Sequence, residues 1–379
     1  MVLANKMLLC SFILLLFVQC KKEPSQVATS NPTLNTVQYA SSLSIYKNEG
    51  YSIIKVSTPW PNATQALTYI LKEKQGTIPD SLQKYPLINV PLNKIVVTST
   101  TIIPYLEILG VEDKLVGFPH TDYISSPKTR LLIDQNKIQD VGQNELLNTE
   151  QIIDLSPDLI VTFSMDDHNP TIKNLEKSGL KTLIQADWME QSPLGKAEWI
   201  KLYGALFGKE KEAKKQFDKI VSDYKNAMAL TQNTRATATI LYGSMYEDQW
   251  FVPKGNSWSA QFMKDAKANY LWAETEGSGS LALSFEVVLD KAQTAQFWIT
   301  SSSFKNLKDM STANPHYAQF DAFKHKNVYT FEAKLGATGG AIYYELAPSR
   351  PDLVLKDYIK IVHPDLLKDY TFTFAQKLQ

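Results

Sequence analysis

Short apolar runs recur along the chain, separated by stretches in which apolar residues have helical spacing. The runs at 95–97 and 159–162 are rich in β-branched residues, which predicts strands buried on both faces. The stretch 102–110 has Pro104 in its first turn and Gly110 at its end, a pattern typical of a helix. Strands alternating with helices predict parallel β-α-β units. The further predicted strands are 114–118, 182–184, 239–242, 297–300 and 327–331, and the further predicted helices are 149–155, 171–178 and 353–361.

A longer helical stretch divides this pattern into two halves. Ala213, Phe217, Ile220 and Tyr224 recur on one stripe of residues 209–230, which predicts a helix about 33 Å long at 1.5 Å per residue. A helix of that length is long enough to span two small domains.

The two halves also resemble each other locally. Residues 148–154 and 284–290 each begin with a helix-capping residue two positions before a Glu, and each has an Asp four residues after that Glu. An apolar strand ending in Thr-x-Ser follows in both. The predicted fold is therefore α/β, with two Rossmann-like lobes joined by a single long interlobe helix. The predicted boundaries are 92–193 for the N-terminal lobe, 194–230 for the helical segment and 231–379 for the C-terminal lobe.

Residues 37–91 form a β-rich prelude to these lobes. Residues 51–56 alternate between polar and apolar positions like a strand, residues 58–61 interrupt the pattern, and residues 67–71 resume it. The pattern assigns this segment no function.

The N-terminus has the pattern of an export signal. Lys6 precedes an apolar run at 7–18, which is shorter than the ~20 residues of a membrane span. Cys20 then precedes a polar stretch, and this order is similar to a bacterial lipoprotein cleavage site. We predict a signal peptide at 1–19 and a lipidated flexible tether at 20–36. The alternative is an ordinary signal peptide with an incidental cysteine.

The amino-acid composition excludes several classes of function. The 39 basic residues balance the 39 acidic ones, which argues against a nucleic-acid partner. Because the signal peptide contains Lys6, its removal leaves the mature chain with a formal net charge of about −1. The 2 cysteines exclude a disulfide scaffold and a multi-cysteine zinc site. The 7 Trp and 18 Tyr favour a recognition surface.

Several segments carry a family resemblance across roughly 93–367. They are the opening segment 94–117, the stretch 141–161, the segment 206–210 before the long helix, and the closing segment 349–364. In these segments the chain resembles the helical-backbone substrate-binding proteins of bacterial ABC importers, the group that takes up iron–siderophores, cobalamin and haem.

The resemblance implies a receptor that is lipid-anchored at the periplasmic face through Cys20 and captures a metal chelate, corrin or haem in a ligand cleft between its lobes. It implies delivery to an ABC permease dimer in the inner membrane, with Glu150 and Glu286 docking into arginine-lined pockets. An acid in the first turn of a helix is held outward by its cap, which suits that role. We expect a monomer without a cofactor or resident metal, because any metal arrives within the ligand.

Ligands of open α/β sheets bind beyond the carboxyl ends of the strands. Hydroxyl and aromatic side chains dominate these ends, and further aromatics and the cations Lys334 and Arg350 lie nearby. Aromatic walls with one or two cations suit a bulky anionic chelate. His120 is a potential metal ligand or, more simply, a hydrogen-bonding residue, and 166–168 is expected to be an exposed turn. The predicted cleft residues are Thr98, Ser99, Thr100, His120, Tyr123, Phe163, Ser164, Met165, Trp188, Tyr242, Met245, Trp250, Trp258, Ser301, Ser302, Lys334, Tyr343, Tyr344 and Arg350.

Two other function classes compete with this interpretation. A hydrolase is disfavoured, because residues 255–259 lack the final Gly of a G-x-S-x-G motif and the S-x-x-K spacing at 302–305 is expected by chance. The other rival is a ligand-sensing or surface lipoprotein of the same fold that works without a permease.

Overall fold

Strands and helices alternate through residues 34–144, 146–235 and 238–379, which are the residues that the computed structural model describes. Residues 34–379 form one structural unit. The predicted signal peptide, the lipidated Cys20 and the tether up to residue 33 lie outside the described residues. Within the described part of the chain, no helix has both the length and the apolar character needed to cross a bilayer.

The strands are β1 Leu43–Asn48, β2 Tyr51–Val56, β3 Leu67–Glu73, β4 Leu87–Val90, β5 Ile95–Val97, β6 Leu115–Phe118, β7 Gln139–Asp140, β8 Gly142–Gln143, β9 Leu146–Leu147, β10 Leu159–Thr162, β11 Thr182–Ile184, β12 Thr239–Tyr242, β13 Met245–Tyr246, β14 Gln249–Pro253, β15 Asn269–Tyr270, β16 Ser280–Leu283, β17 Phe297–Thr300, β18 Val328–Thr330 and β19 Gln376–Lys377. The helices are α1 Ile103–Ile108, α2 Pro127–Asp134, α3 Thr149–Leu155, α4 Pro170–Lys177, α5 Pro193–Glu198, α6 Ile200–Leu206, α7 Glu210–Leu230, α8 Trp258–Asp265, α9 Phe285–Ala292, α10 Leu307–Ala313, α11 Asp321–Lys324, α12 Ile342–Leu346 and α13 Pro351–Val362.

A parallel five-stranded sheet with the order β11-β10-β5-β6-β7 forms the N-terminal lobe. All three residues of β5 are fully buried, because helices cover both faces of a parallel sheet. The prediction of an α/β fold with parallel sheets is confirmed.

The C-terminal lobe repeats this design with the order β15-β12-β17-β18-β19, in which only the last strand is antiparallel. An antiparallel sheet with the order β13-β14-β16 accompanies it. The sequence pattern did not predict this smaller sheet, because β13 has only two residues and β16 is remote from its partner β14.

The long helix α7 has 21 residues and follows the N-terminal lobe directly. Ala213, Phe217, Ile220 and Tyr224 lie on its buried stripe, as their spacing predicted. The helix packs against α6 and against α13 of the C-terminal lobe.

The prelude is a four-stranded sheet with the order β1-β2-β3-β4. Most of its buried apolar residues, among them Leu43, Ile54 and Leu71, belong to the same hydrophobic core as Val97 and Leu159 of the N-terminal lobe. The backbone N–H of Ile184 in β11 donates a hydrogen bond to the Tyr69 hydroxyl of β3 at 3.1 Å. The prelude is therefore packed against the N-terminal lobe.

Two buried carboxylates attach the start of the prelude to α5 and the segment before it. Glu198 is fully buried and accepts hydrogen bonds from the backbone N–H groups of 38, 39 and 40 at 2.6–3.0 Å. Glu190 accepts from the N–H groups of Ser41 and Ser42, each at 2.8 Å. Lys201 Nζ lies 2.6 Å from Glu198 Oε1 and compensates part of the buried charge.

Glu198→Ala is expected to lower the free energy of unfolding by about 3 kcal/mol, because it leaves several backbone donors without an acceptor and removes the carboxylate partner of the Lys201 ammonium. Urea denaturation measures this change. The control is Glu73→Ala, which removes a carboxylate that is 47% exposed in its ion pair with Lys47. A loss no larger than that of the control would contradict the role assigned to Glu198.

Candidate functional site

Hydroxyl groups meet at the carboxyl ends of two neighbouring strands in the N-terminal lobe. Thr98 directly follows β5 and donates a hydrogen bond from Oγ1 to Oγ1 of Thr162, the last residue of β10, at 2.9 Å. Ser99 caps the turn that leads into α1. The strand ends thus place these predicted residues together, as the topology of a parallel sheet requires.

These residues open onto a cavity of about 280 Å³, which we call the Tyr123 cavity. Its lining comes from both lobes, so it lies in the cleft between them. Tyr123 and Tyr344 are 61% and 55% exposed, which leaves both rings free to contact a ligand. The lining residues are Thr98, Ser99, Thr100, Phe118, Pro119, Tyr123, Asn144, Phe163, Gly340, Ala341 and Tyr344.

A second cavity of about 360 Å³, the Lys196 cavity, shares Tyr344 with the first. Both volumes are close to the lower end of the range for small-molecule sites. Its lining residues are Thr101, Lys196, Tyr242, Trp258, Ser259, Thr300, Ser301, Phe331, Glu332, Tyr343, Tyr344 and Pro348.

Aromatic rings form a continuous wall of the Lys196 cavity. The ring centroid of Tyr343 lies 6.0 Å from that of Trp258 and 5.7 Å from that of Tyr344. The Tyr344 hydroxyl donates to Glu332 Oε1 at 2.5 Å. Burial raises the pKa of Glu332, although the Tyr344 hydroxyl partly offsets it. The pair holds Tyr344 in place between the two cavities.

Lys196 is the cation of this cavity. Its Nζ lies 4.9 Å from the centroid of the Trp258 ring, a distance at which the cation and the π-system attract each other. Desolvation by burial lowers the pKa of Lys196, and the carboxylates of Asp187 and Glu190 raise it less. Neither carboxylate forms an ion pair with Lys196; Asp187 accepts from the Thr101 hydroxyl at 3.0 Å, and Glu190 accepts from the backbone N–H groups of residues 41 and 42.

The protein leaves donors unsatisfied at this wall. Among the described residues, the Lys196 ammonium forms no hydrogen bond or ion pair and contacts the Trp258 ring, and the buried indole N–H of Trp258 has no acceptor. An ammonium in a desolvated cavity favours an anionic partner. The sequence analysis did not predict Lys196 as a cleft residue. The one feature that could have indicated it is its position as a lysine in the otherwise apolar start of α5.

Three predicted cleft residues do not reach the cleft. Trp250 is fully buried in the core of the C-terminal lobe, where its Nε1 donates to the Tyr242 carbonyl at 2.9 Å. Lys334 donates to the carbonyls of Phe372 and Thr373 at 2.5 and 2.9 Å. Arg350 forms a two-pronged ion pair with Asp352. Both cations are used inside their own lobe, because each has oxygen acceptors nearby in the fold.

Other predicted residues lie beside the two cavities rather than in them. Ser164 and Met165 line a separate groove near α4. His120 has a left-handed backbone, with φ of 51°, and its ring packs 5.3 Å from that of Tyr123. Trp188, Met245 and Ser302 line neither cavity. Asp166, Asp167 and His168 are all exposed, consistent with the predicted turn.

Glu150 and Glu286 occupy matching positions in the two lobes. Each is exposed in the first turn of its helix, α3 or α9. Asn148 and Ser284 cap these helices through their side chains. The backbone N–H of Glu286 and the Ser284 hydroxyl lower the pKa of the Glu286 carboxyl. Both acids therefore point their charge outward from a capped helix end.

Comparison with known proteins agrees with this two-lobe design. Residues 95–335 match the model of the periplasmic binding protein family, and the chain belongs to that family. Its members are binding proteins rather than enzymes, and membership places the protein outside the cytoplasm. An uncharacterized lipoprotein of Methanocaldococcus jannaschii is 27% identical over 316 residues, which cover 79% of this chain and 73% of the relative.

Solved structures share the fold. A possible iron-binding (periplasmic solute-binding) protein from Staphylococcus epidermidis has a TM-score of 0.58 at 18% identity, covering 72% of this chain and 100% of that one. A periplasmic heme binding protein from Pseudomonas aeruginosa has a TM-score of 0.57 at 17% identity, covering 76% of this chain and 98% of that one.

Proposed function

We propose that this protein captures an iron–siderophore or related anionic metal chelate in its interlobe cleft, with haem and cobalamin as the other candidate ligands, and delivers it to an ABC permease. The observation that carries the proposal is the Lys196 cavity, in which an unpaired ammonium lies against an aromatic wall. Flat or bulky ligands bury area on such rings, and their acidic groups pair with the ammonium.

The related proteins support a ligand of this class. The neighbouring structures from Staphylococcus epidermidis and Pseudomonas aeruginosa are described as a possible iron-binding protein and a heme binding protein. A further neighbour from Helicobacter pylori, with a TM-score of 0.56 at 18% identity, was solved with Ni(II) bound. We infer by analogy that the cargo contains a metal.

Delivery and anchoring complete the proposal. Glu150 and Glu286 dock the two lobes onto a permease dimer, and lipid on Cys20 holds the protein at the periplasmic face of a membrane. The capped, exposed positions of the two acids support docking, because neither forms an ion pair with another described residue. The lipoprotein relatives support the anchor.

A panel of four probes tests the ligand class: a ferric tris-catecholate, a ferric tris-hydroxamate, hemin and cyanocobalamin. We expect at least one metal-containing probe to bind with a dissociation constant well below millimolar. Quenching of tryptophan fluorescence measures it, since Trp258 lines the cavity. Absence of both quenching and a thermal shift with all four probes would refute the proposed ligand class.

A further inference from the structure

A segment of the C-terminal lobe, residues 336–345, reaches across the cleft to residues 121–126 of the N-terminal lobe. We call it the interlobe bridge. The backbone N–H of Ser125 donates to Glu345 Oε2 at 2.6 Å, and the Ser125 hydroxyl donates to the carbonyl of Gly340 at 2.9 Å. The Thr338 hydroxyl donates to the carbonyl of Asp122 at 2.7 Å. The two lobes are thus hydrogen-bonded directly to each other.

Two glycines bring the backbones into direct contact. A Cβ atom on Gly340 would lie 2.2 Å from the carbonyl oxygen of Tyr123, and one on Gly336 would lie 2.7 Å from Cα of Ser125. Neither neighbour is a flexible side-chain end, so a larger residue at either position must push the lobes apart. The bridge therefore fits one separation of the lobes.

The bridge also forms part of the ligand cleft. Gly340 and Ala341 line the Tyr123 cavity, and Tyr344 lines both cavities. Glu345 follows Tyr344 directly, and α12 packs against α1 and the turn before it. A change in the contact between Glu345 and Ser125 therefore moves the side chains that contact the ligand.

We propose that Glu345 is a positioning residue that joins the two lobes through Ser125, sets the width of the cleft, and makes that width depend on its own protonation. The assignment rests on the proposed function only in taking the cleft as the binding site.

Glu345 lies in an environment that disfavours its charge. It is 4% exposed. Its pKa is raised to about 7, chiefly by burial and further by the carboxylate of Glu107, against the lowering effect of the backbone N–H groups of Ser125 and Ser126. Glu107 in turn accepts hydrogen bonds from the hydroxyls of Ser126 and Thr129, each at 2.5 Å.

The other ionisable groups on the surrounding elements are few. The turn at 100–102 has none, and α1 has Tyr105 in addition to Glu107. Residues 121–126 contribute Asp122 and Tyr123, and the bridge itself contributes Tyr343 and Tyr344. The Asp122 side chain is 79% exposed and lies 3.8 Å from Arg130. Glu107 is therefore the nearby charge that acts on Glu345.

The direction of the pH effect follows from linkage. In separated lobes Glu345 is hydrated, and its pKa falls toward the ordinary value of 4.5. The joined state binds the proton more tightly, so the bridge is most favourable below about pH 4.5 and weakens as the pH rises through about 7. The ratio of separated to joined lobes is expected to rise on the order of a hundredfold over that range.

Double electron–electron resonance, which measures the distance between two spin labels, tests the proposal without any added ligand. The full chain has cysteines only at positions 10 and 20, so both are replaced by serine. New cysteines then replace Lys177 in α4 and Lys308 in α10, which are exposed on opposite lobes. The wild-type background should show a narrow distance distribution at pH 5.5 and a broader one at pH 8.

Three variants separate titration from simple packing. Glu345→Gln retains an oxygen acceptor for Ser125, so the distance distribution of this variant should be narrow at both pH values. Gly340→Ala should give a broad distance distribution at both pH values, because the added Cβ pushes the lobes apart. Asp122→Asn should show the same change in distribution with pH as the labelled protein without a further substitution. A pH-independent wild-type distribution, or an unchanged pH response in Glu345→Gln, would overturn the proposal. Failure of the four-probe binding panel would leave this result standing.

Discussion

Replacing Lys196 with methionine is expected to weaken binding of anionic chelates by about ten- to a hundredfold, which corresponds to loss of a charge-assisted hydrogen bond in a desolvated site. Methionine retains an apolar stem of similar length against Trp258, so the aromatic wall should remain packed. The ammonium lies 4.9 Å from the centre of the Trp258 ring and forms no hydrogen bond or ion pair with another described residue. Its loss therefore removes the charge that a ligand would pair with.

The probe panel distinguishes charge from shape. Hemin and the ferric tris-catecholate are anionic, whereas cyanocobalamin is neutral overall, so Lys196→Met should affect binding of cyanocobalamin far less. Lys177→Met, a matched change at an exposed position of α4, should leave every affinity unchanged. Equal weakening for charged and neutral probes would mean that Lys196 supports the shape of the cavity and does not recognise an anion.

Reversing both docking charges, Glu150→Lys with Glu286→Lys, is expected to reduce uptake by about tenfold or more in cells that carry the cognate permease. Like charges brought together at an interface repel strongly, and each lobe contributes one such contact. Ligand affinity should not change, because neither glutamate lines a cavity of the cleft. Uptake of a radiolabelled chelate and fluorescence quenching of the purified variant measure the two effects.

Asp154 and Asp290 supply a matched control for this experiment. They are exposed and lie one turn further along the same two helices. Asp154→Lys with Asp290→Lys makes the same change in net charge, and it should leave most of the uptake intact. Normal uptake in the glutamate double variant would instead favour a sensor or surface lipoprotein that needs no permease.

Local sequence signals predicted many of the regular elements. The strands β10, β11, β12 and β17 and the helix α3 have the predicted bounds. These elements are specified by buried β-branched runs, capping residues and the stripe of apolar residues, all of which involve neighbours in the chain. The short elements β7, β8, β9 and β13 were not predicted, because two residues are too few to show a period.

Side-chain roles in the cleft were predicted less well. Lys334 and Arg350 stand near aromatic residues in the sequence, yet their charges pair with groups of their own lobe. Trp250 follows a strand signal like that of the cleft residues, but its ring is in the core. Whether a side chain lies in the cleft or within its own lobe depends on which face of its strand or helix is turned toward the cleft. A short sequence segment does not specify that face.

The sequence by itself determined the alternation of strands and helices, the two related halves, the long helix and the paired acids at capped helix ends. These features depend on residues within a few turns of one another. The tertiary structure decided that Lys196 is the cation of the cleft, that the prelude packs against the N-terminal lobe, and that Ser125 meets Glu345 across 220 positions of chain. Such contacts arise only when distant segments pack, because burial and hydrogen bonding are set by the assembled core and not by local propensity.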